Sequence, residues 1–173
     1  MHGSLEQFLE DVAHRGSWVG GGSVAALSAA LSAALLEKLV YRPQIAQRMR
    51  SIRRACVLLM ERDAQMFARV IQATRAHQRQ TFTRALKTAT EVPCRVFEHA
   101  QVIQSTCHAA QRSVNPRLQS DLRCAMALAM AASESARTLI QTNLAWLNDR
   151  AYTRTIQRRL QSATRSSVRY RLR

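Results

Sequence analysis

Asp63 occupies a position that its neighbours reserve for an apolar side chain. From Pro43 onward, Ile45, Met49, Ile52, Cys56, Leu59, Met66 and Val70 recur in steps of four and three, and Asp63 fills the one gap in that seam. A carboxylate in such a seam must find a hydrogen-bonding or cationic partner, or keep its proton, and a kept proton is what general acid–base chemistry uses. A second feature is Gly20, Gly21 and Gly22 ahead of Ser23 and an alanine-rich apolar run. Free backbone N–H groups at a helix start suit an anion, while the same glycines also make a flexible joint between helices. No Gly-Lys-Ser/Thr follows the triplet and no strand pattern precedes it, which excludes a P-loop and a dinucleotide fingerprint. Asp121, directly after Ser120, is a second carboxylate, placed either to stabilise a helix start or to react. Asn115 makes a turn with Pro116, and Asn143 sits at a helix-register position. His2, His14, His77, His99 and His108 show no metal-ligand spacing, so no metal is expected.

The elements that must carry these residues are helical throughout. Ser4 and Gln7 resemble a capping box, and Leu5, Phe8, Leu9 and Val12 then share one face, which predicts a short helix to about His14. Ser23 is the expected N-cap of a second helix reaching about Tyr41; its Ala, Ser and Leu suit the centre of a bundle or a subunit contact. The seam containing Asp63 predicts a long third helix. A fourth begins near Gln80 and is expected to kink or break at Pro93 before resuming at Val96. After the turn at Asn115, Ser120 is the expected cap of a final long helix whose seam runs Leu122, Met126, Ala129, Ser133, Ala136, Ile140, Asn143 and Leu147. A last helical piece from about Asp149 dissolves into a basic tail. The expected architecture is all-α, a bundle of about five to six helices with long antiparallel members. The domain is placed at residues 1–152 and the tail at 153–173.

Composition bounds the rest. With 173 residues and 47% apolar content the chain can bury one proper core. The net charge is +15, and from Arg150 onward there are eight arginines and no acid. Such a run is either a solvated tail, the favoured reading, or a contact for nucleic acid or another acidic partner. Cys56, Cys94, Cys107 and Cys124 form no C-x-x-C pair and are expected as reduced thiols in a cytoplasmic protein. The longest apolar stretch, Val24 to Leu36, is shorter than the roughly 20 residues of a membrane span, so no membrane partner is expected.

In order along the chain, "FLEDVAHRGSWVGGGSVAALSAALSAAL", "RDAQMFARVIQA", "RALKTATEVPCRVFEHA" and "NPRLQSDLRCAMALAMAASESARTLIQTNLAWLND" resemble the cyclodeaminase domain of formiminotransferase-cyclodeaminase. Its relatives include bacterial methenyltetrahydrofolate cyclohydrolases. The resemblance covers about residues 5 to 152. It implies a helical subunit that dimerises, with a folate groove near the glycine turn and the subunit contact. It also implies chemistry at a one-carbon bridge of tetrahydrofolate. The bridge either loses ammonia on cyclising from 5-formimino- to 5,10-methenyl-tetrahydrofolate, or is opened by water to the 10-formyl form. No metal and no cofactor beyond the tetrahydrofolate substrate is implied. Carried over by position, Gly20, Gly21, Gly22 and Ser23 match the glycine turn, Asp63 the helix aspartate, Arg84 the following basic position, and Asn115, Ser120 and Asp121 the last segment. Asp121 or Asp63 then takes the acid–base role, and Arg84, with the amides of Gly21 and Gly22, holds the carboxylates of the folate tail. The chain departs from the family pattern at Ser17 and Val19, where prolines are common, and at Val114, where glycine is. These departures keep open an alternative, a non-catalytic interaction protein of the same fold that engages an acidic partner through its tail.

Overall fold

The computed structural model describes residues 4–171. They form six α-helices: α1 (Leu5–Ala13), α2 (Gly21–Leu39), α3 (Pro43–Arg75), α4 (Arg79–Ala110), α5 (Gln119–Leu147) and α6 (Arg150–Arg171), with a 3-10 turn at Pro116–Leu118. Among the described residues there is no strand, as an all-α bundle requires. Ser4 caps α1 as its type suggests, its Oγ accepting from the Gln7 N–H at 3.2 Å. Of α1 only Phe8 is buried.

α2 is the centre of the bundle, packed against α3, α4 and α5. Its apolar composition and length would suffice to cross a membrane, but just over half of it is covered by those three helices, as a core helix is. Ala25, Ala26, Ala29, Ala30 and Ala33 are buried on it. Their small side chains let neighbouring backbones come close, and Ser32 Oγ donates to the Ala125 carbonyl of α5. α3 begins with Pro43 at its first turn and buries Met49, Ile52, Cys56, Met60, Met66, Val70 and Ala73. α2 and α3 run antiparallel. Ser23 lies against Met60 and Asp63 at one end, and Glu37 bonds Arg50 and Arg53 at the other.

Three sequence expectations need correction. The N-cap of α2 is Gly20, and Ser23 lies inside the first turn, wholly buried. α4 passes through Pro93 without a break. Pro93 forfeits one helical hydrogen bond, and burial of Val92, Cys94, Val96 and Phe97 around it holds the helix together. Ser120 is likewise not a cap: Leu118 precedes α5, and Asn115 instead caps the 3-10 turn, accepting from the Arg117 N–H at 2.9 Å.

α5 stops at Asn148, which adopts a left-handed conformation (φ 49°) that an asparagine tolerates. Asp149 then caps α6, accepting from the N–H groups of Ala151 and Tyr152. α6 passes residue 153 as one continuous helix and lies parallel to α4. Lys87 bonds Asp149, Arg159 bonds Glu98, and Ile156 is buried beneath.

Candidate functional site

The first turn of α2 and the middle of α3 meet at Asp63. Ser23 Oγ is 3.1 Å from the Met60 carbonyl and 3.2 Å from Asp63 Oδ2, and the Ser23 backbone N–H also donates to the aspartate. Burial pushes the Asp63 carboxyl above the ordinary carboxylate range, against the opposing pull of these two Ser23 donors. One hydroxyl proton cannot serve both acceptors of Ser23. When Asp63 is protonated it can donate to Ser23 Oγ, leaving the serine proton for Met60, so the same geometry accommodates either protonation state.

The glycine triplet acquires a definite reason here. A Cβ at Gly22 would overlap the Asp63 carboxyl, whereas one at Gly20 would meet open space and one at Gly21 only an ordinary contact with Leu139. Glycine at 22 is therefore the condition for the carboxyl to reach the helix start. α2 has no side-chain cap of its own at Gly20, so Asp63 supplies from α3 the acceptor that an N-cap would give. The acceptor for the Ser23 N–H is thus built into the chain.

Beside the carboxyl stands an aromatic pair. Trp18, two residues before the triplet, and Phe67, one turn along α3 from Asp63, meet edge to face with centroids 6.3 Å apart at 63°. They are 41% and 40% exposed, open to a flat ring from solvent. Ser17 holds this loop, its Oγ accepting from the Val19 N–H at 3.1 Å. The pair escapes a reading of types and spacing because each ring is unremarkable alone. Its one sequence signal is the four-residue step from Asp63 to Phe67, which puts both on one helix face.

The remaining candidates lie elsewhere. Arg84 is exposed on α4, towards the α3–α4 turn. Asp121 sits at the opposite end of α2, 3.6 Å from Lys38 Nζ in the last turn of that helix. From Ser23 to Lys38 is roughly 23 Å at about 1.5 Å per residue, so one protomer does not bring the two aspartates together. Ser120 and Asn115 are at that far end and exposed, beside buried Val114. The four cysteines are free, and burial pushes the thiols of Cys56, Cys94 and Cys107 up to about 12, which makes them inert at neutral pH.

Comparison with known proteins adds two findings. A family model described as formiminotransferase-cyclodeaminase matches residues 4–162. The fold is similar to that in the crystal structure of a formiminotetrahydrofolate cyclodeaminase from Thermotoga maritima, with TM-score 0.88 and 22% identity, covering 99% of this chain and 93% of that one. No curated protein sequence matches.

Proposed function

The chain belongs to the formiminotransferase-cyclodeaminase family, and we propose that it acts on a one-carbon unit bridging the nitrogens of tetrahydrofolate, with Asp63 as the acid–base group. The observation that carries this reading is a largely desolvated carboxyl, held by Ser23 with no cation beside it and raised above the ordinary carboxylate range by burial, one helical turn from an aromatic pair open to solvent. A pterin is a flat heteroaromatic ring and suits Trp18 and Phe67. In the cyclodeaminase direction, N10 attacks the carbon of the protonated formimino group (N5–CH=NH2+), the ionised carboxyl takes the N10 proton, and the neutral carboxyl returns it to the exocyclic nitrogen as that bond breaks and ammonia leaves. In the cyclohydrolase direction, the carboxyl takes a proton from water as its oxygen adds to the methenyl carbon. It then protonates N5 as the C–N5 bond opens, and the remaining hydroxyl proton passes to solvent as the C=O forms, giving the 10-formyl product.

Arg84 and the amides of Gly21 and Gly22 are assigned to the carboxylates of the folate tail, since a guanidinium suits a carboxylate. Asp121, Ser120 and Asn115 enter the same site from a second subunit. α2 presents Val24 and Leu31 to solvent, with Leu27 and Leu35 partly exposed beside them. A two-fold axis perpendicular to α2 through this apolar face sets two copies of the helix antiparallel. The Asp121 end of one copy then comes beside the Asp63 end of the other.

Two assays test the reading. The protein is mixed with 5,10-methenyl-tetrahydrofolate, whose ultraviolet absorbance is followed against a buffer blank, and with 5-formimino-tetrahydrofolate, with ammonia release measured. Acceleration of one identifies the direction of chemistry; acceleration of neither removes the proposal.

A further inference from the structure

Among the described residues of α6, the exposed arginines lie on one side. Arg150, Arg154, Arg158 and Arg165 are all exposed, and at 100° per residue they fall within one narrow arc, interleaved with exposed Gln157 and Gln161. Arg159 is the exception, and it faces the other way. Its Nε lies 2.6 Å from Glu98 Oε1 and its Nη1 2.7 Å from Glu91 Oε2, which ties the helix to α4.

This division decides where positive charge remains. α6 contains no acidic residue. The carboxylates nearest to it are already engaged, Glu91 and Glu98 with Arg159 and Asp149 with Lys87. A shallow depression in the free face is lined by Arg158, Gln161, Ser162, Arg165 and Ser166, all hydrogen-bond donors and none an acid. The chain has 24 arginines against two lysines, so arginine is its default cation, and the weight rests on placement.

We propose that the outer face of α6 is a docking strip for the phosphodiester backbone of nucleic acid. Guanidinium groups pair with phosphate oxygens, and neutral amides and hydroxyls between them supply further backbone contacts without reading sequence. A membrane surface fits less well. A helix lying in a bilayer interface needs a free apolar face, and among the described residues that of α6 is spent, with Ile156 buried and Leu160 and Ala163 packed against the core. The strip lies on the side of α4 that carries α6, so the proposal stands independently of the folate chemistry.

The full-length protein is titrated into a fluorescein-labelled DNA duplex of about 20 base pairs, by anisotropy, at salt concentrations from about 50 to 200 mM. One variant carries Arg150→Gln, Arg154→Gln, Arg158→Gln and Arg165→Gln. A charge-matched control carries Arg54→Gln, Arg62→Gln, Arg69→Gln and Arg75→Gln on exposed positions of α3. Circular dichroism and thermal midpoints establish that each is folded, and an Arg154→Gln, Arg158→Gln double variant replaces the quadruple one if that fails to fold. The strip is supported if the α6 variant binds at least about tenfold more weakly at 100 mM salt and its log–log salt slope falls by about 3 while the control keeps its slope; the double variant loses about half as much slope. Equal losses in the two quadruple variants, no duplex binding by the wild type at 50 mM salt, or binding to phosphatidylserine vesicles without binding to the duplex each overturn it.

Discussion

The two ends of α2 hold their carboxylates in opposite ways. At the C-terminal end, Glu37 is gripped by Arg50 at 2.7 Å and Arg53 at 3.0 Å, and Asp121 lies beside Lys38. Those acids are balanced by cations. At the N-terminal end, Asp63 is pressed against a glycine and receives a serine hydroxyl and N–H in place of a cation. A carboxylate balanced by arginine has little reason to exchange its proton, whereas one desolvated beside neutral donors is poised to do so. The same helix thus has one end suited to fastening and one suited to chemistry.

The most damaging way to break this contrast is Gly22→Ala. The new methyl displaces the Asp63 carboxyl, so we expect a stability loss of about 1–3 kcal/mol in urea unfolding and turnover reduced to background. Gly20→Ala, with open space around it, leaves both within a small fraction of the wild type. Comparable losses at the two positions would deny Gly22 its special role.

Next in size is the aromatic pair. Trp18→Ala or Phe67→Ala should raise KM for the folate substrate about tenfold, the order of one aromatic contact, with a smaller change in kcat. With Trp146→Phe, Trp18 becomes the only tryptophan, and its fluorescence should respond to added folate. Unchanged fluorescence at saturating substrate would place the ring elsewhere.

Smaller again, the two ends should respond oppositely to pH. Burial raises the folded-state value of Asp63 above its unfolded one, so its contribution to stability is complete in acid and is lost as pH rises through the raised value. Glu37 is lowered, chiefly by its bond from Arg50, so its contribution is present above the ordinary glutamate value and is lost as pH falls through the lowered one. In urea unfolding from about pH 3 to pH 8, the wild-type stability minus that of Asp63→Asn should decline with pH, and the wild-type stability minus that of Glu37→Gln should climb. Slopes of equal sign would show that the two carboxylates share one environment.

The smallest effect is expected at the exposed pair. Lys38→Ala should change stability by no more than about 0.5 kcal/mol, because Lys38 and Asp121 are 64% and 36% exposed at 3.6 Å.

Much of this molecule is legible in residue spacing. The seam through α3 placed Asp63 among apolar neighbours, and the alanine-rich run marked α2 as central, because helical period and side-chain size act locally. What spacing leaves out are contacts made across the bundle. Ser23 has the type of a cap, but the acceptor at the start of α2 comes from Asp63, 40 residues away. Pro93 has the type of a breaker, but its neighbours are buried on a helix packed against α2, α3, α5 and α6. Asp63 and Asp121 are equally polar in the sequence, and only the antiparallel fold shows that α2 keeps them apart. Trp18 and Phe67 become a pair only when the loop before α2 folds onto α3.

The central claim is that Asp63 moves the proton, and Asp63→Asn tests it most directly, since the amide keeps the carboxyl's shape and can still accept from Ser23. On whichever of the two folate substrates the wild type turns over, kcat should fall by about 10²–10⁴-fold while the thermal midpoint and helical signal remain close to wild type. A folded Asp63→Asn protein with kcat unchanged would contradict the claim.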